Sequence, residues 1–256
     1  MPNDIRLHFK SMKLAFLFFV LIAVAESFTV FVDVLAGVIL FGIILLATLI
    51  IPAVKNNYQQ SRLVLSLSLV PLVRIISLSM PLAGLSQIWW FPIMYLPLFL
   101  AALALMYMLG LRFGDIGFKL RPVTANILIA LSGIALGFIE YSILQPEPLI
   151  EQLTWQSGLL AGLILFVTTG LVEEVIFRGV MQRTAIEYFG WRGIFYTSLI
   201  FAVLHLGFLS AADVIFVFFA GLYFAWAALK TGSLTGVIIA HGATNTVLFV
   251  IAPFMF

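Results

Sequence analysis

From Leu14 to Phe254 the chain passes through one apolar stretch after another, each close to the length of a bilayer span, joined by short polar connections. A helix needs about 20 apolar residues to cross the hydrocarbon core, and every backbone polar group inside that core must be satisfied within the span. A transmembrane barrel would alternate apolar and polar residues in segments of about ten, a pattern the chain lacks. The sequence therefore predicts an all-α, polytopic transmembrane helical bundle of about eight or nine helices. Hydrophobic residues make up 63% of the 256 and charged residues only 9%, against about 25% charged in a soluble domain. A soluble domain on a single anchor is excluded.

The expected helices are Leu14–Val32, Val34–Val54, Leu63–Leu85, Trp89–Leu111, Val123–Leu144, Gly158–Met181, Gly193–Leu209, Ala212–Leu229 and Leu234–Phe254. The first two share one apolar run, with a turn expected near Glu26–Asp33. Lys10 and Lys13 lead into a long apolar stretch rather than into the short core of a cleavable signal. Lys and Arg recur in every second connection: Arg6, Lys10 and Lys13, then Lys55 and Arg62, then Arg112, Lys119 and Arg121, then Arg183 and Arg192, then Lys230. The intervening connections lack them, and Gln145–Ser157 carries Glu147 and Glu151 instead. By the positive-inside rule the N-terminus is cytoplasmic and the protein sits multi-pass in the cell membrane.

Gly110, Gly114, Gly117 and Pro122 among charges mark a cytoplasmic linker at 112–122. It divides a four-helix N-terminal region, 1–111, from a C-terminal region, 123–256. Small-xxx-small pairs at Gly133/Gly137, Gly158/Gly162 and Gly232/Gly236 permit close helix packing. Cysteine is absent, which excludes disulfides, thiolate nucleophiles and Cys-bound metals.

Within this apolar background a few polar residues stand out. Glu173, Glu174 and Arg178 interrupt one span, His205 another, and His241 with Asn245 the last. An ionisable group at membrane depth costs roughly 2.5–3.5 kcal/mol on insertion scales, so it faces a polar interior and marks function. Counted from the cytoplasmic ends, all lie roughly 10–18 Å deep, in the cytoplasmic half of the bilayer. Glu174 and Arg178 are spaced i, i+4 and so pair, leaving Glu173 turned elsewhere; His241 and Asn245 share a helix face by the same spacing. Singly, the ion pair reads equally as structural, Asn245 as an interhelical hydrogen bond, and either His as a satisfied buried side chain. Four such groups at one depth read as a site. Arg74 either snorkels or lines a cavity, and Glu140 is expected to reach the outer interface.

The residue types suit hydrolysis. A desolvated carboxylate beside a His activates water as a general base, and a second His with an Asn amide donates to an oxyanion. Glu with two His also makes a His₂Glu zinc set. Both mechanisms are open at this level. A proton-coupled transporter would spread its polar groups across both leaflets, and a catalytically silent membrane binding or immunity protein would not need the set intact.

Glu173-Glu174-Val-Ile-Phe-Arg178 reads EExxxR, Phe201-Ala-Val-Leu-His205 reads FxxxH, and His241-Gly-Ala-Thr-Asn245 reads HxxxN. In this order, on successive apolar segments, the three resemble the CPBP family of CAAX-processing and bacteriocin-processing intramembrane proteases, also called Abi, over roughly 123–252. The linker stretch Leu109–Arg121 resembles the segment that often precedes that domain. The resemblance implies an intramembrane glutamic endopeptidase. Glu173 and His205 would polarise the attacking water, His241 and Asn245 would form the oxyanion hole, and Glu174, Arg178 and Phe201 would support the site. No cofactor is implied, with zinc through Glu173, His205 and His241 as the alternative. The expected partners are a peptide or membrane-protein substrate, prenylated or bacteriocin-like, and the lipid bilayer, not nucleic acid. Motifs of other intramembrane proteases, HExxH and GxSG, are absent, and the lone Gly114-Asp115 pair falls in a loop.

Overall fold

The computed structural model describes residues 2–54 and 57–256, with side chains from Lys13 onward. Of Arg6 and Lys10 only the backbone is described, and Lys55 lies outside the described residues. The described chain is helical, with no strand. Eight of its helical stretches are long and apolar enough to cross a membrane. Many of their Leu, Ile and Phe side chains point outward, among them Phe16, Ile43 and Leu128, as a surface solvated by lipid requires.

Helix α1 (Pro2–Phe31) and helix α2 (Val34–Val54) form a hairpin. The turn is confined to Val32–Asp33, where the Asp33 carboxylate accepts from the Ala36 amide at 2.8 Å. It does not extend back to Glu26, which lies inside α1 and is fully buried. The expected third span divides into α3 (Tyr58–Ser66) and α4 (Leu69–Ser79). Pro71 is the cause. It has no N–H to offer the Leu67 carbonyl, and its ring clashes with that carbonyl in a continuous helix; the Leu67 oxygen is instead taken by the Val70 amide at 3.1 Å. Pro81 then holds Met80 extended and ends the helix, six residues short of the expected limit at Leu85.

Helix α5 spans Trp90–Met108 and α6 spans Val123–Leu144. A long helical run follows: α7 (Trp155–Leu165), π-wound stretches at Phe166–Glu173 and Val175–Met181, and α8 (Gln182–Phe189). The expected span at Gly158–Met181 is therefore extended at both ends. Helix α9 (Gly193–Val203) stops before His205, six residues earlier than expected, and a single 3₁₀ turn, Leu206–Phe208, takes over. Helix α10 (Ala211–Thr231) and α11 (Thr235–Thr246) complete the bundle, with α11 passing into another π-wound stretch, Val247–Ile251.

The π winding has a local cause. The Thr168 and Thr169 hydroxyls each donate at 2.7 Å to the carbonyl four residues back, and Thr246 does the same at 2.7 Å just before the second π stretch. Such back-bonding competes with the i→i−4 ladder.

Glycines set the approach of the C-terminal helices. A Cβ on Gly133 of α6 would lie 2.1 Å from the Ala240 carbonyl oxygen of α11, and one on Gly170 would lie 2.8 Å from the Ile238 carbonyl oxygen. Backbones packed this closely bring the π-wound segment, α6 and α11 around a common centre. Glu173 and His241 face each other there.

Candidate active site

Glu174 is fully buried and is held from two sides. Its Oε1 accepts from Arg178 Nη1 at 2.9 Å and lies 2.7 Å from His241 Nδ1. The i, i+4 pairing with Arg178 follows from the sequence spacing. Arg178 also donates to the Gly221 carbonyl at 3.3 Å. Its guanidinium lies 4.4 Å from the Phe201 ring centre and 5.9 Å from those of Phe177 and Phe224. A desolvated cation so surrounded gains from both the carboxylate and the ring faces.

Glu173 turns the other way. π winding adds a residue to each turn, so adjacent side chains diverge less around the axis, and His241 lies between both carboxylates. Its Nε2 is 3.8 Å from Glu173 Oε2. The other Glu173 oxygen accepts a short hydrogen bond from the Tyr95 hydroxyl of α5. The Glu173 side chain retains 18% exposure while Glu174 has none. Glu173 is therefore the carboxylate open to a small molecule.

His205 lies 2.8 Å through Nδ1 from the Phe201 carbonyl. A carbonyl only accepts, so Nδ1 carries the proton and Nε2 of the neutral ring presents a lone pair. The Phe201 ring packs against His205 at 4.7 Å and edge-on to His241 at 6.0 Å. Phe201 thus holds one His by its carbonyl and braces both with its ring. At His241, Nδ1 donates to Glu174. For Nε2 also to donate, the ring must carry both protons.

Glu173, His205, His241 and Asn245 all line one cavity of about 240 Å³. The Asn245 amide makes no side-chain hydrogen bond among the described residues. The remaining wall is mostly apolar, with Leu98, Ile176, Phe216 and Phe249 among its residues. No three His, Asp or Glu side chains converge to hold a metal ion among the described residues. Glu173, His205 and His241 share the cavity without forming such a cluster.

Several residues of this cavity were not assigned to the site from sequence. Tyr95 comes from the N-terminal region, and its only sequence signal is a hydroxyl within an apolar span, a signal it shares with Tyr107. Arg74 lines the cavity and is bound in two-pronged fashion by the buried Glu26, Nε and Nη2 each 2.7 Å from a carboxylate oxygen. Of the two expectations for Arg74, lining a cavity is the one that holds. Glu140 does not reach the outer interface. It is 7% exposed and lines the cavity, because Gly133 and Gly137 draw its face of α6 against α11. Asp213 is fully buried near the start of α10, within electrostatic range of Glu140, and neither carboxylate oxygen has a hydrogen-bond partner. Glu173 itself lies about midway between Trp155 and Phe189.

Residues 154–247 match the family model described as type II CAAX prenyl endopeptidase, Rce1-like. Neither the curated proteins nor the solved structures compared give a match.

Proposed function

We propose that this chain, whose segment 154–247 carries the CAAX-protease family signature, is an intramembrane endopeptidase that activates water at Glu173. At family level the match supports a CAAX-type protease; the mechanism and substrate that follow are our reading. The observation that carries it is one cavity on which a partly open carboxylate, a histidine lone pair and an unengaged amide converge.

In the proposed reaction Glu173 accepts a proton from a water that also hydrogen-bonds His205 Nε2. The oxygen attacks the scissile carbonyl and the C–N bond later breaks. Glu173 returns its proton to the departing amine, so each turnover consumes one water and yields an acid and an amine. The tetrahedral oxyanion takes hydrogen bonds from the Asn245 amide and from Nε2–H of a doubly protonated His241. Preorganised donors of this kind are worth about 10²–10³ in rate each. The apolar wall suits an apolar peptide segment, and no step needs a metal. The orientation that fits the basic loops has the N-terminus cytoplasmic.

The test is cleavage of a quenched fluorescent peptide library by the purified protein in detergent, with and without a strong chelator. Activity kept in chelator and lost in Glu173→Ala, by about 10²–10⁴-fold, supports the proposal. Loss in chelator with recovery in zinc would move Glu173, His205 and His241 to ligand roles. No cleavage of any peptide by the folded protein would favour a silent binding or immunity protein.

A further inference from the structure

The cavity has a direction, and three helices, α5, α9 and α11, report it independently. Along α5 the lining residues Phe91, Met94 and Tyr95 are half-buried, while Leu98, further on, is buried. Along α10 half-buried Phe216 and Ala220 alternate with buried Val217 and Gly221, and buried Phe224 comes last. Along the run from α7, buried Thr169 precedes partly open Glu173, and buried Ile176 and Phe177 follow, so this run is open only at Glu173. Helices α9 and α11 run the opposite way and grade the opposite way, from buried Phe201 to Phe208 at 46% exposure, and from buried His241 to half-buried Phe249. The mouth therefore lies at the start of α5 and beyond the ends of α9 and α11.

The other end is closed. Phe177, Phe201 and Phe224 form the floor, with the Arg178 guanidinium packed against their rings. A second cavity of about 350 Å³ lies behind that floor, between Asp115, Gln182, Ser233 and Leu234; Arg178 lines it and does not line the first.

Charge divides the same two ends. Arg62, Arg112, Lys119, Arg183, Arg192 and Lys230 all lie at the floor end. That end is tied together by the Arg62–Glu187 bridge, by Arg62 donating to the Leu109 carbonyl, and by the Leu234 amide on the Gly117 carbonyl. The connections at the mouth end, 80–89, 145–154 and 204–210, hold Glu147 and Glu151 and no Lys or Arg. The Leu149 amide donates to the Phe249 carbonyl there, so the acidic connection sits beside the mouth. Lys and Arg mark the cytoplasmic side of a membrane protein, and acidic residues contribute little to that bias.

We propose that the mouth faces away from the cytoplasm, and that the substrate is the outward-facing end of an apolar peptide segment embedded in the bilayer. The substrate half of this statement rests on the endopeptidase reading; the direction of the mouth does not.

The chain has no cysteine, so single cysteines report alone. Glu147→Cys at the acidic connection, Phe208→Cys at the rim and Lys230→Cys at the floor end are each labelled with a membrane-impermeant maleimide, in intact and in permeabilised cells. The expected result is labelling of the first two in intact cells and of Lys230→Cys only after permeabilisation. Reaction of Lys230→Cys in intact cells overturns the proposal. So does a Phe208→Cys that stays unreactive from outside while Glu147→Cys reacts. A second arm adds a peptide cleaved in detergent to the outside of sealed vesicles of known sidedness. Right-side-out vesicles should cleave it, with activity lost in Glu173→Gln, and inside-out vesicles should not until opened. Cleavage only by inside-out vesicles overturns the substrate class and returns the site to a cytoplasmic peptide terminus. Labelling as expected with no cleavage by any preparation removes the endopeptidase reading and the substrate class with it, and leaves the direction of the mouth standing.

Discussion

Glu174 Oε1 lies 2.7 Å from His241 Nδ1, across a sequence separation of 67 positions. The carboxylate fixes which ring nitrogen carries a proton toward the protein and which faces the cavity. It plays toward His241 the orienting part that the buried carboxylate of a Ser-His-Asp triad plays toward its histidine. Glu173, its sequence neighbour, lines the cavity instead.

Replacing Glu174 by Gln should lower kcat by about 10²–10⁴-fold, since the ring loses its charged acceptor. The same change strands Arg178, 2% exposed at its side chain, and breaking a buried pair costs about 3–5 kcal/mol. The double variant Glu174→Gln/Arg178→Met removes both charges and should recover most of the thermal stability in detergent while cleavage stays low. Recovery of activity along with stability would mean that Glu174 serves Arg178 alone.

Tyr95→Phe removes one hydroxyl and leaves the ring. A hydrogen bond to a charged acceptor is worth about 1.5–3 kcal/mol, so kcat should fall by roughly one to two orders of magnitude with KM little changed. The melting temperature should move little. Unaltered turnover would place the Tyr95 contact outside the reaction.

Glu26 and Arg74 form a buried pair between α1 and α4, with Glu26 fully buried and Arg74 16% exposed. Removing either alone, as Glu26→Gln or Arg74→Met, should destabilise by about 3–5 kcal/mol, and the double change should cost far less. Thermal unfolding of the three variants in one detergent measures the coupling. Additive losses would mean that the two charges stabilise the fold separately.

Gly133→Ala sets a methyl 2.1 Å from the Ala240 carbonyl oxygen. Backbone cannot give way as a flexible side chain does, so the variant should lose about 1–3 kcal/mol and more. Activity should fall with it as α11 moves away from Glu173. Gly42→Ala in α2 has nothing within 4 Å of the new Cβ and serves as the control, with unfolding and cleavage both unchanged.

How much of this was legible in the sequence follows from the range of each interaction. The spans were readable because bilayer thickness fixes helix length locally, and α6 falls where its apolar run predicts, Val123–Leu144. The Glu174–Arg178 pair was readable because four positions make one turn of helix. Glu173, His205, His241 and Asn245 were picked out singly by the cost of polar groups in lipid. The break at Leu67–Ser68 was implicit in Pro71, but the apolar pattern runs unbroken across it and masked the proline.

The sequence by itself thus determined a membrane-spanning helical bundle and the polar residues of the candidate site, since both follow from local costs of burying backbone and charge. Only the tertiary structure decided which side chains meet. Tyr95 reaches Glu173 across 78 positions, and Glu26 reaches Arg74 across 48. Glu140 turns into the cavity because glycine-lined backbones draw α6 against α11. No helical periodicity records such partners, because each helix sees its own neighbours three and four positions away. What lies across the cavity is set by packing between helices.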